Sequence, residues 1–131
     1  MGYSETLRLI EDRLSEFLHN SRFSSFYIGQ TNDFERRAEE HRNKEGYNYV
    51  WSIAEGSPSA INQAEIDLIK FFRENQNQVI PLDNKIDGGA GNDSNTIYVA
   101  VRATINEVGD LYDGLVSING LENIKIPEVN D

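Results

Sequence analysis

Apolar residues recur at helical spacing in the first stretch of the chain: Leu7, Ile10, Leu14 and Leu18 follow Ser4, and Glu5 and Glu11 lie near the start. That pattern predicts an amphipathic helix from about Ser4 to about Leu18. SSFYIGQT (24–31) then reads as a short buried strand ending at Gly29. Asn32 can cap a second helix, with Glu35 three residues on as in a capping box, and the helix runs to about Arg42. NYVWSIAE (48–55) is aromatic and β-branched and predicts a second strand, broken by Gly56-Ser57-Pro58. Ser59 caps a third helix to about Glu74, with Ile61, Leu68, Ile69 and Phe72 as its apolar stripe.

Beyond Glu74 the pattern changes. VIPL (79–82) and the glycine-rich NKIDGGAGN (84–92) read as an irregular segment. TIYVAVRA (96–103) alternates at Ile97, Val99 and Val101, so those residues face an apolar surface and Tyr98 and Arg102 lie on the opposite side. That surface is either the domain's own sheet or a second subunit. INEVGDLYDGL (105–115) has helical spacing weakened by Gly109 and Gly114, and IKIPEV reads as a final edge strand limited by Pro127. The fold class is therefore α/β (α+β): a short, mainly antiparallel sheet flanked by helices. It divides into an N-terminal helix (1–22), a core (23–95) and a strand-containing C-terminal extension of the same domain (96–131).

Two helices carry polar residues where apolar ones are expected. In the second, Phe34, Arg37, Ala38 and His41 share one face. Phe34 and Ala38 belong in a core, so Arg37 and His41 point towards the protein. An arginine held there can grip a phosphate with its planar fork, and a histidine one turn on can bond a water or a phosphate oxygen. The structural alternative is an Arg and a His closing a buried network. In the third helix Glu65 interrupts the stripe of Ile61, Ile69 and Phe72. A buried carboxylate is costly unless it is paired or binds a metal. Glu65 is therefore either a partner of an arginine such as Arg37 or an anchor for Mg²⁺, which commonly takes one protein carboxylate, waters and substrate phosphate.

Composition narrows this picture. The chain has 131 residues, one domain's worth, and no cysteine, which excludes a disulfide framework and thiolate metal sites. The charged start MGYSETLRLIEDRL is unlike a signal peptide, and no apolar run suits a membrane helix, so a cytoplasmic protein without membrane contact is expected. The net charge is −10, which repels duplex DNA at long range. Up to residue 82 nine Lys/Arg face thirteen Asp/Glu, and from residue 83 on three face nine. Arg36, Arg37, Arg42 and Lys44 form a local basic cluster, but Glu35, Glu39, Glu40 and Glu45 intersperse it, as on a solvated helix face.

The string FYIGQTNDFERRAEEH (26–41) resembles the second core motif of the GIY-YIG nuclease family: Tyr-Ile-Gly, a Thr-Asn-Asp turn, then an Arg and a His one helical turn apart. Tyr27, Gly29, Arg37 and His41 stand at the family's spacing. AEIDLIKFF (64–72) resembles the following helix with its metal-binding glutamate, here Glu65. LDNKIDGGAG (82–91) resembles the later segment in which an asparagine precedes a glycine pair, with Asn84 as the first match and Asn92 as the second. The family's opening strand, which bears Gly-Ile-Tyr before Tyr-Ile-Gly, has no counterpart upstream. Those positions read SEFLHNSRF, the tail of a helix, and no tyrosine lies between Tyr3 and Tyr27.

The resemblance implies metal-dependent hydrolysis of phosphodiester bonds in nucleic acid, DNA before RNA. It implies Glu65 holding Mg²⁺ or Mn²⁺, Arg37 on the phosphoryl oxygens, Tyr27 activating water directly or through His41, and Asn84 as a positioning group. The alternative is a binding protein on the same scaffold that has lost catalysis and takes a protein or a small phosphorylated ligand, as a viral or mobile-element factor would. A third reading is a detached nuclease module that draws its nucleic-acid affinity from a protein partner. The C-terminal part is the region through which an oligomer would form.

Overall fold

The computed structural model describes residues 1–19, 22–75, 80–86, 88–89, 93–103, 121 and 124–130. The order of elements is α1 (Tyr3–Leu18), β1 (Phe23–Thr31), α2 (Phe34–Lys44), β2 (Tyr49–Gly56), α3 (Pro58–Glu74), β3 (Thr96–Ala103) and β4 (Ile124–Ile126). The strands form one sheet in the order β1-β3-β2-β4. β3 pairs antiparallel with both β1 and β2, while β4 runs parallel to β2. The architecture is the mixed α/β, mainly antiparallel sheet expected from the hydrophobic pattern. No helix among the described residues is long and apolar enough to cross a membrane.

Two apolar clusters lie on opposite faces of the sheet. The larger joins Leu7, Ile10, Leu14 and Leu18 of α1 to Ile61, Leu68, Ile69 and Phe72 of α3, over Phe26, Ile28, Ile53, Ile97, Val99 and Val101 of the sheet. The smaller sets Ala38 of α2 against Tyr47, Val50, Tyr98 and Ala100, with Tyr27 and Phe34 alongside. The strand expected as part of an extension is thus an interior one, paired on both sides. Ile97, Val99 and Val101 meet this domain's own core, and Tyr98 and Ala100 are buried on the other face. Burial on both sides explains why TIYVAVRA is apolar almost throughout, as strands covered on both faces are.

The element ends differ from expectation at two caps. Asp33, not Asn32, caps α2, its side chain accepting from Arg36 N at 3.2 Å. The turn is closed two residues before that cap by Thr31 Oγ1, which accepts from Asp33 N at 3.0 Å. Ser57, not Ser59, caps α3, accepting from Ala60 N at 3.2 Å. Pro58 then occupies the first helical turn, where its fixed φ suits the helix and its missing N–H costs nothing. Both shifts follow from cap chemistry that several adjacent polar residues could supply.

The irregular segment after α3 covers the outer edge of β1. Phe26 N donates to Pro81 O at 3.0 Å, and Asp83 N donates to Phe26 O at 2.7 Å. The Asn84 carboxamide continues this as a side chain: Ile28 N donates to its Oδ1 at 2.9 Å and its Nδ2 donates to Ile28 O at 2.8 Å. At the opposite edge β4 pairs with Ala54–Gly56 and is followed by Pro127, which fits the expected edge strand. The ambiguous stretch 105–115 and Asn92 lie outside the described residues.

Candidate active site

Tyr27, Arg37, Glu65 and Asn84 line one cavity at the sheet surface, together with Gly88 and Tyr98. Each arrives from a different element. Tyr27 comes from β1, Arg37 from the inner face of α2, Glu65 from α3, and Asn84 and Gly88 from the segment after it. Tyr98 comes from β3, directly opposite Gly29 in the β1–β3 register. His41 lies behind the cavity, fully buried at 0% exposure. Four of the five residues singled out in the sequence therefore share a cavity, and the fifth touches its wall.

Tyr98 is the member that the sequence pattern did not single out. Its hydroxyl lies 2.8 Å from His41 Nε2 and accepts a hydrogen bond from Arg37 Nε at 3.3 Å. Its ring stands 5.2 Å from that of His41, and the Tyr27 ring lies 5.1 Å from His41 and 6.3 Å from Tyr98. The available signal was Thr96-Ile97-Tyr98, an Ile-Tyr pair on a strand apolar on both faces. A strand apolar on both faces is covered on both, which points its tyrosine to a buried face without saying which residues it meets.

Gly29 makes this position of Tyr98 attainable. A Cβ at Gly29 would lie 2.8 Å from Tyr98 Cε1 and closer still to Cζ and Oη. Only a residue without a side chain lets the phenol lie across the β1 backbone.

Arg37 is anchored on several sides. Nη1 donates to Glu40 Oε2 at 3.0 Å and lies 3.5 Å from Glu45 Oε1. Burial works against its charge, but Tyr98, Glu45 and Glu40 more than offset that and keep it protonated. Burial raises the pKa of Tyr27 and Tyr98 even with Arg37 pulling the other way, so both are neutral phenols. Burial, and then the positive Arg37, lower the pKa of His41, with Glu45 and Glu40 opposing. The imidazole is accordingly neutral at physiological pH.

Glu65 does not pair with Arg37. It is 7% exposed, and its Oε1 accepts from Gln30 Nε2 and from Gly89 N, both at 2.8 Å. Both bonds fall on one oxygen, and among the described residues none reaches Oε2. No cluster of three or more His, Asp or Glu that could cage a metal occurs among the described residues. A single carboxylate oxygen suits Mg²⁺ or Mn²⁺, which keep waters and take oxygens from a substrate.

Asn84 sits in the cavity wall with its carboxamide engaged by the Ile28 backbone on both atoms. It positions β1 at the residue next to Tyr27. No protein-family model, no curated protein and no solved structure matches this chain.

Proposed function

We propose that this protein is a metal-dependent nuclease of the GIY-YIG type in which the strand bearing the first tyrosine follows the core instead of preceding it. The observation that carries this reading is the convergence of Tyr98 with Tyr27, Arg37 and His41 around a cavity that also holds Glu65. The Gly-Ile-Tyr strand absent upstream has a counterpart in Thr96-Ile97-Tyr98, which pairs antiparallel with the Tyr-Ile-Gly strand. A circular permutation of this kind keeps the spatial arrangement while changing chain order. The presence of a second phenol supports the catalytic reading over a scaffold that has lost catalysis.

In this reading Arg37 binds the phosphoryl oxygens of the scissile phosphate and offsets the charge that develops there. Glu65 would hold Mg²⁺ or Mn²⁺ through Oε2, and the bound ion supplies Lewis-acid polarisation of the phosphate and support for the leaving oxygen. The role of water activation moves from Tyr27 to Tyr98, because it is Tyr98 whose hydroxyl meets His41. A neutral phenol is a poor base, so Tyr98 passes its own proton to His41 Nε2 as it takes one from the attacking water. Tyr27 presents a second hydroxyl beside Arg37. Asn84 keeps the strand carrying Tyr27 in place.

The net charge of −10 bears on affinity, not on the chemistry. Weak intrinsic attraction to a polyanion means cleavage favours low salt or a partner that delivers the substrate. The test is incubation of purified protein with supercoiled DNA, single-stranded DNA and RNA, with Mg²⁺ or Mn²⁺ and with chelator. Metal-dependent cutting that disappears in Glu65→Ala supports the nuclease. Cutting that survives Glu65→Ala, or no cutting of any substrate, argues against it.

A further inference from the structure

Glu45 stands at the end of α2, one helical turn beyond His41. Its Oε2 lies 2.6 Å from His41 Nδ1. A carboxylate is an unfavourable neighbour for a helix C-terminus, where the exposed carbonyls already carry negative partial charge. Glu45 is therefore not placed there to stabilise the helix. Its backbone is nonetheless fixed: Glu45 N donates to His41 O at 3.2 Å, and Arg102 Nη2 donates to Glu45 O at 2.8 Å. Arg102 is itself stacked on Tyr47, 4.4 Å from the ring centroid. The half-exposed carboxylate is thus delivered to the buried imidazole from a pinned main chain.

We propose that Glu45 is a positioning residue that selects the tautomer of His41 and so makes Nε2 the proton acceptor for Tyr98. This inference rests on the nuclease reading for its catalytic consequence, but not for its structural one. A carboxylate oxygen only 2.6 Å away repels a lone pair and favours an N–H, so the Nδ1 that faces it carries the hydrogen. A neutral imidazole has one N–H, which leaves a lone pair on Nε2. The Tyr98 hydroxyl, 2.8 Å away, then donates to Nε2.

The proton balance follows. As a water O–H breaks, its proton goes to Tyr98 Oη, and the Tyr98 proton goes to His41 Nε2. The resulting imidazolium keeps its 2.6 Å ion-pair contact at Nδ1 with the Glu45 carboxylate, whose charge offsets the new cation. Without that carboxylate the imidazolium would be buried beside positive Arg37. The charged and titratable groups around His41 are Arg37, Glu40 and Glu45 from α2, Tyr27 from β1, Tyr47 ahead of β2 and Tyr98 from β3. Glu65 bears on Tyr98 and not on the His41 ring itself. Of these, Glu45 is the anion in contact with the ring.

The experiment is nitrogen NMR of the His41 ring in the full-length protein, for wild type, Glu45→Gln and Glu45→Ala, combined with cleavage kinetics for the same three. The wild type should show the neutral Nδ1–H form. Glu45→Gln, whose amide oxygen can still accept from Nδ1, should keep that form and lose part of the rate. Glu45→Ala should shift His41 towards the Nε2–H form and lower kcat by about 10–100-fold with KM little changed, the scale of losing the group that orients a functional histidine. An Nε2–H tautomer in the wild type overturns the proposal, as does a tautomer and rate unmoved by Glu45→Ala. If no substrate is cut, the ring spectra alone decide the role of Glu45, and the nuclease reading fails separately.

Discussion

The phenol of Tyr98 lies across the backbone of Gly29, so close that a single added carbon at Gly29 would collide with the ring. The two residues are paired in the β1–β3 register, and their contact ties the Tyr-Ile-Gly motif to a strand nearly seventy positions further along the chain (about 70; 98 against 29). Gly29 therefore owes its place to a neighbour that is distant in sequence. Gly29→Ala should cost about 1–3 kcal/mol of stability by overpacking and should displace the hydroxyl from His41. Urea denaturation of Gly29→Ala, Tyr98→Ala and the double variant measures this. The double variant should be more stable than the sum of the singles requires, and strict additivity would contradict the contact.

Gly88 adopts φ +87°, and a Cβ there would approach Glu65 Oε1 to 2.9 Å. Gly88→Ala should push Glu65 out of its bond with Gly89 and weaken metal binding by about 10–100-fold, as loss of an outer-shell support does. Calorimetric titration with Mn²⁺ measures the change. Equal affinity in the two proteins would detach the glycine turn from the proposed metal site at Glu65.

Asn84→Ala leaves Ile28 N–H and Ile28 C=O without their partners at a buried position. The expected cost is about 2 kcal/mol or more, since a buried backbone group left unsatisfied costs about 1–3 kcal/mol. The folded fraction should still cut, at a rate reduced far less than in Arg37→Ala. A severe rate loss with unchanged stability would make Asn84 a catalytic group instead of a strand clamp.

The pH dependence follows from His41. Burial first, and then Arg37, hold its pKa below the ordinary 6.5. The unfolded chain therefore binds a proton more readily than the folded one between those two values. Stability from this group is complete above about 6.5 and is lost as pH falls through the lower, folded value. In the proposed mechanism cleavage uses the same neutral imidazole, so its rate should fall on that acid limb too. Thermal melts and rates measured across the acid range check both. A stability rising towards acid pH in this window would contradict a buried neutral His41.

Much of this architecture is written locally. The helical stripes of α1 and α3, the alternation of β3 and the shared face of Phe34, Arg37, Ala38 and His41 each follow from the spacing of neighbouring residues. What the spacing could not convey is which strands lie side by side. Tyr98 belongs to the cavity because β3 inserts between β1 and β2, a long-range pairing that no local period encodes. Asn84 is visible as a residue before a glycine pair, but its grip on Ile28 depends on a chain segment folding back along a strand edge. Glu45 looks like one more acid in a salted helix end until His41 is seen beneath it. The caps Asp33 and Ser57 were each missed in favour of a polar neighbour of equal propensity.

The central claim is that Tyr98, from the C-terminal side of the core, acts as the phenol that accepts the water proton. The most direct measurement is the single-turnover cleavage rate of Tyr98→Phe against wild type, at low salt with Mg²⁺ or Mn²⁺, on the best of several DNA and RNA substrates. Phenylalanine keeps the ring over Gly29 and removes only the hydroxyl that meets His41 and Arg37. The account predicts a fall of about 10²-fold or more in the folded protein, the scale of losing a general base, with substrate binding little changed and stability lowered by about 1–3 kcal/mol because His41 Nε2 loses a buried partner. A Tyr98→Phe protein that cuts as fast as wild type would contradict it.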